Sequence, residues 1–125
     1  MQKAKELFVI LEDKPKALGA LLNILSKNKI KVSSIGVFVD SAKMLVDNVE
    51  KTKKLLLDNN YAVEVREVLQ VTVENSTKEM AYVTERIGHI GINISHAYAT
   101  SDPNNGKITF ILDVSDIDTA LSLFK

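Results

Sequence analysis

The chain has 125 residues, enough for one ordinary domain or two very small ones. Hydrophobic residues make up 46%, charged residues 26%, and the formal net charge is zero, so no long-range field draws the chain to nucleic acid or to an anionic membrane. Cysteine is absent, which excludes disulfides and thiolate metal sites and fits a reducing cytoplasm. The start MQKAKEL lacks the apolar core of a signal peptide, and no apolar run approaches membrane-spanning length.

Strand one is expected over Glu6 to Leu11, with Leu7, Val9 and Leu11 on one face and Phe8 and Ile10 on the other. Glu12-Asp13-Lys14-Pro15 follows, and a helix is expected from Lys16 to Asn28. Asp13 reads as its N-cap and Pro15 as a first-turn residue. Such a turn presents free N–H groups and the positive end of the helix dipole, which favour a small anion such as an amino-acid carboxylate. The plainer alternative is a capping turn with no ligand. Leu18, Leu21, Leu22 and Leu25 form the helix's expected buried stripe, and Asn28 can end it. Strand two is expected over Lys31 to Asp40, a hairpin turn at Asp40-Ser41-Ala42-Lys43, and strand three over Lys43 to Val46. Asp47-Asn48 can cap a second helix, Val49 to Asp58, with Val49, Leu55 and Leu56 inward. Strand four, Ala62 to Val68, runs almost directly into Leu69 and onward, with a bend or bulge expected near Glu67.

Displaced by 62 residues, the sequence meets itself. Leu7, Val9, Leu11 and Glu12 fall on Leu69, Val71, Val73 and Glu74; Leu18, Leu21 and Leu25 fall on Met80, Val83 and Ile87. Ile30, Val32 and Ser33 fall on Ile92, Ile94 and Ser95, while Asp13, Pro15 and Lys31 fall on Asn75, Thr77 and Asn93. Cores coincide and turns differ. The second copy predicts a helix from Lys78 to His89, strands over Asn93 to Thr100 and Lys107 to Asp113, and a last helix with Ser115 and Asp118 as a capping box. A fourth strand is not reached by Lys125. Either the sequence is truncated or a strand edge needs cover.

The βαββαβ order, the E-D-K-P turn, the K-I-K-V-S and G-I-N-I-S stretches and the helix D-N-V-E-K-T-K-K-L-L-L-D-N-N-Y together resemble the ACT domain. The chain resembles a stand-alone tandem of two: residues 1–68 as the first repeat and 69–125, without its last strand, as the second. The resemblance implies an α+β fold of two ferredoxin-like βαββαβ repeats, with helices on one face of antiparallel sheets joined side by side. It implies a regulatory module that binds a small molecule, usually an amino acid, without catalysis. By position it assigns ligand contact to Asp13 and Asn75 with their neighbours Lys14 and Ser76, and to Lys31 and Asn93. One departure stands out: Lys16 occupies the position after the turn proline where the family usually has glycine.

Other readings are weaker. Asp13 and Asn75 can be caps only. His89 and His96 have no partners at catalytic or metal-ligand spacing, so no catalytic residue, metal or cofactor is expected. A ligand-free assembly module is the main alternative. RNA binding by an RRM-like sheet needs exposed aromatics and basic surroundings, and only Phe8 and Phe110 are candidates. Phe8, Ile10 and Phe38 are expected on the sheet face opposite the helices. An apolar face there predicts a homodimer.

Overall fold

The computed structural model describes residues 1–74 and 76–124. The fold is α+β. Among the described residues the order is β1 (Gln2–Ile10), α1 (Ala17–Lys27), β2 (Val32–Val37), β3 (Ser41–Val46), α2 (Val49–Asp58), β4 (Val63–Glu74), α3 (Thr77–His89), β5 (Ile94–Asp102), β6 (Lys107–Val114) and α4 (Ile117–Leu123). The chain packs as two compact units, Lys5–Arg66 and Met1–Ala4 with Glu67–Lys125.

In the unit Lys5–Arg66 the strands lie in the order β2-β3-β1-β4. Antiparallel register sets Leu7 opposite Met44 and Val9 opposite Ala42, and these four close on Leu21 and Leu25 of α1 and Leu56 of α2. Each large side chain buried here contributes roughly 1.5–3 kcal/mol. The buried stripe of α1 is narrower than its leucines suggest: Leu18 and Leu22 remain 36% and 37% exposed. In α2, Thr52 is buried one turn before Leu56, while Val49 and Leu55 pack at the core's margin. The Thr52 hydroxyl donates to the Asn48 carbonyl at 2.7 Å, which makes its burial affordable. Asn48 caps α2 as expected, its side chain accepting from the Lys51 N–H.

The β2–β3 hairpin turns earlier than the sequence suggests. Phe38 N–H donates to the Ser41 carbonyl at 2.8 Å, so the turn is Phe38–Ser41 rather than Asp40–Lys43. Strand β3 therefore gains Ser41 and Ala42, and Lys43 lies opposite both Gly36 and Phe8.

In the other unit the order is β1-β4-β6-β5, with Met1–Ala4 supplying the first position. The start of β1 thus stands where a fourth strand of the second βαββαβ set would lie. Lys3 ties it down, 2.8 Å from Asp118 of α4 and 3.6 Å from Glu67. Hydrogen bonding to Asp118 and its charge hold the Lys3 ammonium above its ordinary pKa. Strand β4 runs unbroken, and Glu67 takes a position of the same parity as Val65 and Leu69, tolerated there because its side chain is exposed and meets Lys3. Leu69, Val71, Phe110 and Leu112 from the strands pack with Val83 and Ile87 of α3 and Ala120 of α4. Ser76 caps α3, and Asp116, not Ser115, caps α4. Ser115 is committed elsewhere: its hydroxyl oxygen accepts the Asn93 N–H at 3.0 Å.

Candidate functional site

A cavity of about 550 Å³ opens in the unit Lys5–Arg66, where β1 turns into α1 and α2 returns to β4. Its size lies in the range of small-molecule sites. Strand β1 ends at Ile10, whose N–H donates to Ala62 O, and Leu11 N–H donates to Asp40 O, both at 3.0 Å. The chain then doubles back, with Lys14 N–H donating to the Glu12 carbonyl at 3.0 Å. Asp13 lies in an exposed bend and does not cap α1. The helix starts at Ala17, four residues on, too far for the Asp13 carboxylate to reach its N2 and N3 amides. The N-cap position belongs to Lys16, at φ 74° and ψ −13°, and no side chain caps this helix.

The left-handed conformation at Lys16 explains why glycine suits this position. A side chain there is strained by roughly 1–2 kcal/mol. Lys16→Gly is expected to raise stability by about 1 kcal/mol in thermal unfolding. A variant that melts lower would show that the lysine side chain has a structural role of its own.

The opposite rim is set by a helix end. Asn60 has φ 70°, Tyr61 N–H donates to Leu56 O and Asn60 N–H to Leu57 O, a Schellman closure of α2. Lys29 and Gly91 close α1 and α3 in the same way, through Ile30 N–H to Leu25 O and Ile92 N–H to Ile87 O. Asn59 and Asn60 thereby face the β1–α1 turn across the cavity.

The walls are apolar and the rim is polar. Ala17, Ala20 and Ile24 lie on one face of α1 at i, i+3 and i+7, with Leu11 and Tyr61 completing the apolar lining. The rim carries Glu12, Lys14 and Lys16, two ammonium groups to one carboxylate. Lys14 Nζ lies 2.8 Å from Glu12 Oε2, and this hydrogen bond, with the Glu12 charge, holds the Lys14 ammonium above its ordinary pKa. The surplus positive charge stands beside an uncapped helix N-terminus, so the rim favours an anionic group over an apolar floor.

Of the residues expected to bind ligand, Lys14 lines this cavity. Asp13 is exposed next to it and is not part of its lining. Lys31 is exposed and joined to Asp47 through its main chain, its N–H donating to Asp47 Oδ1 and its carbonyl accepting from Asp47 N–H, both at 3.1 Å. Ser76 Oγ accepts the Glu79 N–H at 3.1 Å as the cap of α3. Asn93 is exposed, and its side chain lies 3.4 Å from Ser95 Oγ. Asn75 lies outside the described residues. Sequence reasoning missed Ala17, Ala20, Ile24 and Asn59 to Tyr61. The sequence pointed to the turn, through Glu12 to Pro15 and through Lys16 in a glycine position, but not to the face of α1 or the end of α2. Among the described residues, no group of three or more His, Cys, Asp or Glu is placed to hold a metal ion, and no helix is long and apolar enough to cross a membrane.

No family model and no curated protein matches the chain. Solved structures do. Protein BT0572 from Bacteroides thetaiotaomicron is 25% identical, with a TM-score of 0.86 over 97% of this chain and 85% of that one. The ligand-free regulatory subunit of aspartate kinase from Thermus thermophilus is 18% identical, with a TM-score of 0.66 over 100% of this chain and 99% of that one. Aspartokinase III of E. coli, solved in complex with lysine and aspartate, is 17% identical, with a TM-score of 0.60 over 99% of this chain but 32% of its own. The α+β, ferredoxin-like fold of this chain is therefore similar to that of the regulatory subunit of aspartate kinase.

Proposed function

We propose that the chain is a tandem ACT protein, a regulatory module that binds an amino acid and catalyses nothing, and that the cavity at the β1–α1 turn is its ligand site. The observation that carries this reading is the pairing of an apolar wall with a net-positive rim at the uncapped start of α1. A ligand carboxylate suits Lys16 and the first-turn amides, an ammonium suits Glu12, and the side chain takes the wall of Ala17, Ala20 and Ile24. Likeness to aspartate kinase regulatory subunits, and to a kinase solved with lysine and aspartate, supports an amino-acid ligand. Asp13, Lys31, Asn75, Ser76 and Asn93 remain the contacts that the ACT resemblance assigns.

Titration calorimetry of the full chain against the common amino acids tests the reading. The expected result is saturable heat with at least one of them at or below millimolar concentration. Lys16→Glu, which reverses the net charge of the rim, is expected to abolish that heat. Silence across the whole panel would overturn the function. A second reading, a cytoplasmic homodimeric assembly module, is favoured by Ile35, Val37, Phe38 and Val39, which stay exposed along β2 and its hairpin. Sedimentation at micromolar concentration separates it: a ligand-independent dimer weakened by Phe38→Glu supports assembly, and a monomer ends it.

A further inference from the structure

The offset of 62 residues that aligns the two cores also aligns α1 with α3. Leu21 and Leu25 answer to Val83 and Ile87, and all four are buried. The strip that lines the cavity, Ala17, Ala20 and Ile24, answers to Glu79, Tyr82 and Arg86. Two alanines on one helix thus become a carboxylate and a phenol on the other, and an isoleucine becomes a guanidinium.

On the matching side of α3, Arg86 is half-buried and Tyr82 is 52% exposed. Arg86 lies 5.5 Å from the centre of the Tyr82 ring and 5.6 Å from that of Phe124. Its guanidinium donates to Tyr82 Oη at 3.3 Å and to the Leu123 carbonyl at 3.5 Å. The turn differs as well. Ser76 stands at the position of Lys14, caps its helix and takes the Glu79 amide, so α3 starts at Thr77, the position of Pro15. In α1 the same turn stays uncapped and the first helical residue comes two positions later.

We infer that the chain binds one ligand, in the unit Lys5–Arg66 only, that this ligand is an amino acid with an uncharged apolar side chain, and that Tyr82 and Arg86 fill the equivalent space in the other unit. This rests on the function proposed above. The side-chain preference follows from the lining: Leu11, Ala17, Ala20 and Ile24 offer a charged side chain no partner, and the lining carboxylate, Glu12, is already paired with Lys14. Ala20 is the residue that admits the side chain, because tyrosine is its counterpart where the space is filled.

Titration calorimetry of the full chain with L-leucine and L-phenylalanine, and with L-lysine and L-aspartate for contrast, tests the inference. One site per chain is expected for an apolar probe, with lysine and aspartate at least tenfold weaker. Ala20→Tyr, at an exposed helical position, is expected to weaken the apolar probe at least tenfold with an unchanged circular dichroism spectrum. Ala17→Glu supplies the same test from the neighbouring turn. Tyr82→Ala is expected to leave the affinity and the single site unchanged. Two sites per chain, an Ala20→Tyr variant that is folded and binds as wild type, or tighter binding of lysine or aspartate would each overturn the inference while leaving amino-acid binding in place. If no amino acid binds the wild type, both the function and the inference fall.

Discussion

Lys43→Met is expected to lower the stability of the chain by about 3–5 kcal/mol. Lys43 sits mid-strand on β3, opposite Phe8, on the face turned away from the Leu7, Val9 and Met44 core. It is 1% exposed, with its ammonium 5.6 Å from the Phe8 ring centre and 5.8 Å from that of Phe38. Glu6, also 1% exposed, lies diagonally across on the same face, since Leu7 pairs with Met44. Methionine keeps the length and most of the volume of lysine, so the packing change is small. What the substitution removes is a buried ammonium over two aromatic rings, on the face that also carries the buried Glu6. Glu6, a diagonal neighbour, then stays buried with one positive charge fewer on its face. Glu6→Gln with Lys43→Met is expected to recover most of the loss, because the buried charge goes with its counterpart. Urea unfolding of both single variants and the double variant measures the coupling. A loss below about 1 kcal/mol for Lys43→Met would show that other groups carry the balance of charge at Glu6.

Removing Met1–Ala4 is expected to destabilise the unit Glu67–Lys125 by a few kcal/mol, at about 0.5–1.5 kcal/mol for each backbone hydrogen bond lost. These residues are the strand beside β4 in that unit. Without them β4 presents an unpaired edge, which also invites association with other chains. Lys3→Ala removes only the exposed ion pairs to Asp118 and Glu67, and its effect is expected to be far smaller. Hydrogen exchange locates the damage. Faster exchange from Val68 to Val73 and in β6, with the amides of α1 and α2 still protected, is the expected pattern. Uniform loss of protection through Lys5–Arg66 would contradict it.

Much of the fold is written in the sequence where local chemistry decides it. The 3.6-residue spacing marks α1 and α3, and Asn48 announces α2, because these signals act within one or two turns. The start of α1 is misleading. Asp13 and Pro15 look like a cap and a first turn, but the left-handed step at Lys16 delays the helix to Ala17. The hairpin shifted because the Phe38 to Ser41 hydrogen bond, not the most polar run, fixed the turn. Glu6 and Lys43 are illegible by alternation, which assigns charged residues to solvent and says nothing of what neighbouring strands and rings bury. The cavity was half legible. Its turn is one short segment, but Ala20 and Ile24 look like ordinary helix filling, and Asn59 to Tyr61 look like a helix stop. Only the fold brings the two together.

The start of β1 carries a consequence for how the chain acquires its structure. The strand that Met1–Ala4 flank begins at Val63, and Lys3 meets Asp118, far along the sequence. The unit Lys5–Arg66 is one continuous segment of the sequence. The other unit joins Met1–Ala4 to Glu67–Lys125 and must close a loop across all of Lys5–Arg66. The entropy of that closure grows only slowly with length, but it is lost before the contacts form, so the step is slow. Refolding of the full chain is therefore expected to show a fast phase and a slow one, and deleting Met1–Ala4 is expected to alter only the slow one.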